Sequence, residues 1–288
     1  MNVIKNCDMR LYTSFKAGGK THALIIVEDM RELRKALSAL SKSGLQYMVM
    51  GNGTNILVKD SGYSGCIIKT GAEFSRIDIN GEMLTAGAGA PLAAVSTAAM
   101  EAGLSGLEFA SGIPGSLGGA VFMNAGAYGM EMKDVVDSVN IIPKDGSQEK
   151  KLDAADLKFA YRQSALMETG EIVTYAELKL NRGDRDEIKK KMLEFTELRN
   201  KKQPVSVPSA GSVFKRPDGY YAGKLIQDCR LMGLSIGGAM VSDIHAGFIV
   251  NNGGATATDV IDLIDLVKCT VYDRFGVKLE PEIRIIGD

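Results

Sequence analysis

The chain has no tryptophan, only two histidines (His22 and His245), four cysteines and seven prolines in 288 residues. Two histidines cannot build a histidine-rich metal centre, and any Ser-His-Asp arrangement would have to use one of them. Cys7, Cys66, Cys229 and Cys269 are scattered, with no Cys-x-x-Cys pair, which fits reduced thiols rather than a disulfide or zinc framework. Charge of one sign is also lacking. Lys plus Arg number 34 against 35 Asp plus Glu, a formal net charge of -1, so there is no long-range field to attract nucleic acid or anionic lipid. No uncharged apolar run approaches the ~20 residues that span a bilayer, and Met1–Arg10 lacks the apolar stretch of a signal peptide. The expectation is a cytoplasmic protein with neither nucleic-acid nor membrane partner and no bound metal.

What is present describes a folded chain of more than one domain. Hydrophobic residues make 45% and charged residues 24% of it, and ~100–200 residues per domain gives two or three domains. Ala23–Val27 reads as a strand and Glu28–Ser43 as a helix with Leu33, Leu37 and Leu40 on one face, stopped by Gly44. Strands follow at Leu45–Met50 and Ile56–Val58. Asn80-Gly81 and Asp145-Gly146 mark hairpins, Pro91–Ala102 reads as a helix and Glu171–Leu180 as a strand. Asp184–Lys202 is a linking helix, Ala222–Leu231 and Thr258–Phe275 are further helices, and Val277–Ile285 is a closing strand. The fold class is therefore α+β with α/β portions, and the texture changes near residues 195–205.

Glycine is in excess: 33 residues, about 11% against the ~7% average, and clustered. Gly51-Asn52-Gly53-Thr54-Asn55 lies between two apolar strands, where small residues let backbone N–H groups converge on an anion such as a pyrophosphate, although an ordinary turn fits equally well. No helix follows this turn, so it is neither a dinucleotide-binding fingerprint nor a P-loop. Ser111–Ala120 and its continuation to Gly129 form a second cluster. Five glycines at 112–126 are costly in a regular helix or strand, so close approach to a flat or phosphorylated ligand is the stronger explanation than backbone packing.

These clusters, in order with Thr13-Ser-Phe15, Asn124-Ala-Gly-Ala-Tyr-Gly129, Ala160-Tyr-Arg-Gln-Ser164, Gly211-Ser-Val-Phe-Lys215, His245–Asn251 and Leu279–Arg284, resemble the UDP-N-acetylenolpyruvoylglucosamine reductase (MurB) family, in its shorter, type II-like form. The resemblance implies a two-part FAD-binding module of the vanillyl-alcohol-oxidase (PCMH) type over residues 1–195, with parts of about 1–70 and 71–195. It also implies a substrate-binding domain over 196–288, whose last strand, 278–288, returns to the first part. The activity it implies is NADPH-dependent, FAD-mediated reduction of UDP-N-acetylglucosamine enolpyruvate to UDP-N-acetylmuramate, a step of peptidoglycan synthesis for the cell wall. FAD would be non-covalent, and family habit suggests a monomer.

Hydride addition to an enol ether conjugated with a carboxylate builds negative charge on the acceptor, so the chemistry asks for a cation and a proton donor. By resemblance, Ser212 delivers the proton while Arg162 and Glu282 assist charge development. On the residues alone, Ser212 is an ordinary turn serine and Glu282 is indistinguishable from Glu280, which shares its strand face. Ser212 is expected to be held by a basic neighbour, Lys215 or Lys224. The FAD-binding candidates are Gly51, Asn52, Gly53, Thr54 and Asn55 with Ser111, Gly112, Ile113, Pro114, Gly115, Ser116, Gly118, Gly119 and Ala120. Lys202, Tyr128 and Arg216 are the substrate-binding candidates, and His245 reads as a packing residue. The competing readings are an alcohol oxidase of the same fold, which often needs a histidine or cysteine beside a covalent flavin, and a non-catalytic nucleotide-binding module. Residues 111–129 contain neither histidine nor cysteine.

Overall fold

The structure, a computed structural model, describes residues 1–288. Strand β1 (Asn2–Asp8) and strand β2 (Lys20–Val27) precede helix α1 (Met30–Ser43). Asp29 opens α1 by accepting the Glu32 N–H at 2.7 Å, and Gly44 closes it with φ 69°, a left-handed conformation that costs glycine little. Its buried residues, Leu33, Ala36, Leu37 and Leu40, recur at helical spacing. Then come β3 (Tyr47–Met50), the first glycine turn, β4 (Ile56–Val58) and β5 (Tyr63–Thr70). The first sheet has the order β1-β2-β5-β3, with β3 parallel to β5.

The second sheet starts with β6 (Ile77–Asn80) and β7 (Met83–Gly87), paired across the turn at Gly81. Next are α2 (Leu92–Glu101), β8 (Leu104–Ser105), α3 (Leu117–Phe122) and the ribbon of β9 (Gly126–Ala127) and β10 (Met130–Glu131). Strands β11 (Val136–Ile142) and β12 (Lys150–Asp153), helix α4 (Leu166–Thr169), and strands β13 (Ile172–Lys179) and β14 (Asn181–Arg182) follow. The sheet is antiparallel throughout, in the order β12-β11-β13-β7-β6. Its core joins Leu84, Val139, Ile141, Ala176 and Leu178 to Val95 of α2 and Leu117 and Val121 of α3, and burial of each such large side chain stabilises by ~1.5–3 kcal/mol. Helix α5 (Arg185–Lys202) follows, opened by Asp184, whose carboxylate accepts the N–H groups of Asp186 and Glu187 at 3.0 Å.

The remaining elements are β15 (Ser209–Ser212), α6 (Ala222–Asp228), β16 (Ser235–Ile236), β17 (Ala239–Val241), β18 (Phe248–Asn251), α7 (Ala257–Phe275) and β19 (Arg284–Ile286). Strands β15-β18-β17-β16 form an antiparallel sheet, and α7 buries Val260, Leu263, Ile264, Val267 and Val271 in a core shared with Phe15 and Leu57. A reciprocal Thr256–Asp259 cap opens α7. Asp60 accepts the N–H groups of Ala257 and Thr258 at 2.9 and 2.7 Å.

By packing, the chain divides into two compact units. The first comprises residues 1–4, 24–52 and 65–198; the second comprises 5–23, 53–64 and 199–288. The packing units are thus discontinuous, unlike the contiguous expectation of 1–195 and 196–288. The reason is the pairing of β19 with β4 in parallel, together with the shared core of Phe15 and Leu57, which joins early segments to the C-terminal elements. The closing strand is also shorter than Val277–Ile285. Pro281 forms an isolated antiparallel bridge with Phe214, flanked by the bonds from the Lys215 N–H to Glu280 and from the Glu282 N–H to Val213, so 280–282 are taken by another segment and regular pairing with β4 begins only at Arg284. No helix is long and apolar enough to cross a membrane.

Candidate active site

The first glycine turn is built around tight backbone approaches. A Cβ on Gly51 would stand 2.1 Å from the Ser116 Oγ, so the first cluster lies directly against the second. Lys69 of β5 donates from its Nζ to the Gly51 carbonyl at 3.0 Å, and burial lowers the pKa of this ammonium. Gly53 has φ 64°, and a Cβ there would come within 2.3 Å of the Tyr12 carbonyl. Its own carbonyl accepts the Ser14 N–H at 3.1 Å.

In the second cluster Ser116 opens α3, its Oγ accepting the Gly119 N–H at 3.4 Å. Two of the glycines here are also packed tightly against the protein itself. Gly118 lies within α3, where a Cβ would meet the Ala88 Cβ at 2.7 Å, and its N–H donates to Ala88 at 2.8 Å. Gly126 faces the Met130 carbonyl, where a Cβ would stand at 2.5 Å. A cradle nevertheless remains. The N–H groups of Asn52, Gly115 and Ser116 donate to no carbonyl of the chain, and Ser116 is buried. Buried N–H donors lacking an acceptor are costly, and an anionic oxygen is the complement they call for. The residues therefore suit a diphosphate-bearing cofactor.

Arg162 sits on a two-residue turn closed by reciprocal 3.1 Å bonds between Ala160 and Gln163. Its φ of 54° is unusual for a side-chain-bearing residue, and its Nη2 donates to the Gly126 carbonyl at 3.3 Å. Asn124, fully buried, holds this turn. Its Nδ2 donates to the Ala160 carbonyl at 2.9 Å and to Glu131 at 3.0 Å, and its Oδ1 accepts the Lys133 N–H at 2.9 Å. Ser164 anchors the other end, donating to the Phe122 carbonyl at 2.7 Å. Tyr128 and Gly129, both with positive φ, turn the β9–β10 ribbon. The Tyr128 ring stacks on Phe195 at 4.1 Å and its Oη donates to the Phe195 carbonyl at 2.8 Å, while 41% of the residue stays exposed.

Ser212 ends β15, opposite Phe248 of β18, after an irregularity at Gly211 with φ 77°. The Val213 N–H donates to Gly247 at 2.9 Å, and the Val213 carbonyl accepts the Glu282 N–H at 2.7 Å. Thus the chain places Ser212 and Glu282 on neighbouring backbone segments. Asn55 holds the second of these, its Nδ2 donating to the Glu282 carbonyl at 3.1 Å. Glu280, by contrast, forms an exposed ion pair with Lys215, which separates it from Glu282 where strand alternation could not. That pair also corrects the expected partner of Ser212. Lys215 is held by Glu280 and Lys224 by Asp228, and no hydrogen bond joins either lysine to Ser212.

Arg216 lies over the Tyr221 ring at 4.0 Å and donates from Nε to the Tyr220 carbonyl at 3.3 Å. Lys202 is exposed in the last turn of α5. Sequence reasoning missed Lys69 and Asn124, and it gave no sign of the three buried side-chain oxygens without a hydrogen-bond partner, Thr13 Oγ1, Ser138 Oγ and Gln203 Oε1. Lys69 alone left a trace, as a lysine in an otherwise apolar strand end.

A family model described as UDP-N-acetylenolpyruvoylglucosamine reductase, C-terminal domain, matches residues 203–286, and one described as FAD binding domain matches 21–150. The UDP-N-acetylenolpyruvoylglucosamine reductase of Alkaliphilus oremlandii is 46% identical over 97% of this chain and 92% of its own length. That of Latilactobacillus sakei is 47% identical over 100% of this chain and 94% of its own. The crystal structure of the UDP-N-acetylenolpyruvylglucosamine reductase (MurB) from Thermus caldophilus superposes with a TM-score of 0.85 at 38% identity, covering 99% of this chain and 98% of that one. The chain belongs to the UDP-N-acetylenolpyruvoylglucosamine reductase family.

Proposed function

We infer that Ser212, Arg162 and Glu282 carry the proton and charge handling of an NADPH-dependent, FAD-mediated reduction. The substrate is UDP-N-acetylglucosamine enolpyruvate and the product UDP-N-acetylmuramate, for peptidoglycan. The chain is an FAD-dependent oxidoreductase of this family. When bound, FAD supplies the redox chemistry, accepting two electrons from NADPH and delivering hydride to the enolpyruvyl double bond. The N–H groups of Asn52, Gly115 and Ser116, with Gly53, Thr54, Asn55 and the small residues 111–120, would hold its diphosphate and flat portions.

The chain's own residues do the rest. Hydride addition at one carbon of the enol ether leaves charge beside the carboxylate, and the neighbouring carbon needs a proton. Ser212 gives that proton from Oγ. The Arg162 guanidinium stabilises the developing charge, and the strained turn at φ 54° fixes where that charge is met. Glu282 assists from a backbone position locked to Val213. Lys202, Tyr128 and Arg216 contact the UDP-sugar. The enzyme works as a cytoplasmic monomer without nucleic-acid or membrane partners, residues 1–195 serving FAD and 196–288 the substrate.

The observation that carries this reading is the 2.7 Å bond from the Glu282 N–H to Val213, which sets Glu282 beside the residue following Ser212. Ser212→Ala tests it. Flavin reoxidation by the substrate should slow by ~10²–10⁴-fold while reduction by NADPH stays unchanged. Equal loss in both half-reactions, or no loss, contradicts the assignment.

A further inference from the structure

His245 lies outside the residues assigned above, yet its ring is tied into the backbone that carries them. Ser242 Oγ accepts the N–H groups of Ile244 and His245 at 3.1 and 3.3 Å, so the loop between β17 and β18 is closed at its start. The His245 carbonyl accepts the Phe248 N–H at 2.9 Å, and the Phe248 carbonyl accepts the Ser242 N–H at 2.9 Å. Within this loop the His245 Nδ1 accepts the Gly247 N–H at 3.0 Å. The ring has little freedom. A Cβ on Gly223 of α6 would stand 3.3 Å from its Cε1, one on Gly247 would stand 3.0 Å from the same atom, and the Phe248 ring meets it edge-on at 5.1 Å.

From Gly247 the connection runs straight to the proposed proton donor. The Gly247 carbonyl accepts the Val213 N–H at 2.9 Å, Val213 follows Ser212, and the Val213 carbonyl accepts the Glu282 N–H at 2.7 Å. Resting on the roles proposed for Ser212 and Glu282, we propose that His245 is a positioning residue for the reduction: its neutral imidazole, accepting the Gly247 N–H at Nδ1, fixes the residue whose carbonyl, in the next peptide, aligns the Ser212–Val213 segment.

An Nδ1 that accepts requires the neutral ring with its proton on Nε2. Burial lowers the imidazole pKa below its ordinary range, opposed by the ring's own interaction with the His245 backbone carbonyl. The charged groups on the surrounding elements are occupied elsewhere. On α6, Lys224 pairs with Asp228; after β15, Lys215 pairs with Glu280; Asp243 in the loop turns its Oδ1 toward Gly233; β18 carries no ionisable side chain. Protonation of His245 would turn the Nδ1 acceptor into a donor facing the Gly247 N–H, and the alignment would be lost on the acid side.

The test uses flavin-loaded wild-type protein, His245→Ala, His245→Asn and Ser212→Ala. Asparagine keeps an acceptor near the Nδ1 position but does not titrate. His245→Ala should slow flavin reoxidation by the UDP-enolpyruvyl sugar by about tenfold, as expected for loss of one positioning hydrogen bond, with reduction by NADPH unaffected. His245→Asn should recover most of that rate and lack the acid limb of the wild-type pH profile. With only two histidines in the chain, nitrogen–proton correlation spectra of the imidazoles give an independent readout: His245 should be neutral with its proton on Nε2 at neutral pH. The proposal is overturned by wild-type reoxidation in His245→Ala, by equal slowing of both half-reactions, by an acid limb that persists in His245→Asn, or by a proton on Nδ1. If Ser212→Ala reoxidises normally, the proton-donor reading fails; if only His245→Ala does, this inference fails alone.

Discussion

The side-chain amide of Asn55 donates to the backbone carbonyl of Glu282 at 3.1 Å. The Arg284 N–H returns a bond to the Asn55 carbonyl at 3.0 Å, so one residue of the first glycine turn grips the C-terminal segment from both sides of Ile283. This explains why β19 ends up beside β4. It also makes Asn55 a structural clasp on a catalytic candidate, besides its place in the FAD-binding turn.

Asn55→Ala removes that clasp. We expect a loss of about 1 kcal/mol in unfolding free energy, read by denaturant titration of the apoprotein. Flavin reoxidation by the substrate should slow more than flavin reduction by NADPH, because Glu282 is the group left less constrained. A variant with both half-reactions untouched would show that the clasp has no catalytic consequence.

Gly51→Ala should be destabilising through overpacking rather than through backbone conformation. The added methyl would fall 2.1 Å from Ser116 Oγ and 3.1 Å from Ser116 Cβ. The expected cost is about 1–3 kcal/mol, with weaker FAD retention. Adding Ser116→Ala removes the nearest atom, so the double variant should regain part of the lost melting temperature, and a purely additive pair would contradict the contact.

Asp60 gives the account a pH-dependent handle. Burial raises its pKa, but the hydrogen bonds from the Thr258 hydroxyl and the N–H groups of Ala257 and Thr258 outweigh it, leaving the carboxyl below its ordinary range. A carboxylate with a lowered folded-state pKa stabilises above its unfolded value of ~3.9 and loses that contribution as pH falls through the folded value. Asp60→Asn should therefore cost about 1 kcal/mol at neutral pH, as loss of a charged helix cap does. The gap between variant and wild type should close in strong acid, and a gap independent of pH would show that charge plays no part.

The sequence made legible what is decided locally. Asp29 and Gly44 bound α1, the Asn80-Gly81 turn sets the β6–β7 hairpin, and α7 runs almost as its apolar spacing requires, each within reach of its own neighbours. The long α5 is opened by Asp184 as read. Val277–Ile285 misled because alternation there is real but 280–282 bridge to the segment after Ser212, while the strand partner of Arg284–Ile286 lies more than two hundred residues earlier. The site was legible as motifs through family resemblance, not as geometry. Strand alternation set Glu280 and Glu282 as equals until Lys215 took Glu280, and the lysines expected to hold Ser212 proved committed to carboxylates. Asn124 holds the backbone of a segment 36 residues further on, which leaves no local pattern to read.

The measurement that tests the account most directly is an anaerobic visible spectrum of the purified protein, taken alone, after NADPH, and after UDP-N-acetylglucosamine enolpyruvate. Flavin bands that bleach with NADPH and return with the sugar in the absence of oxygen are the predicted result. A protein that takes up no FAD, or one whose flavin bleaches with NADPH and stays bleached with the sugar, would contradict the account.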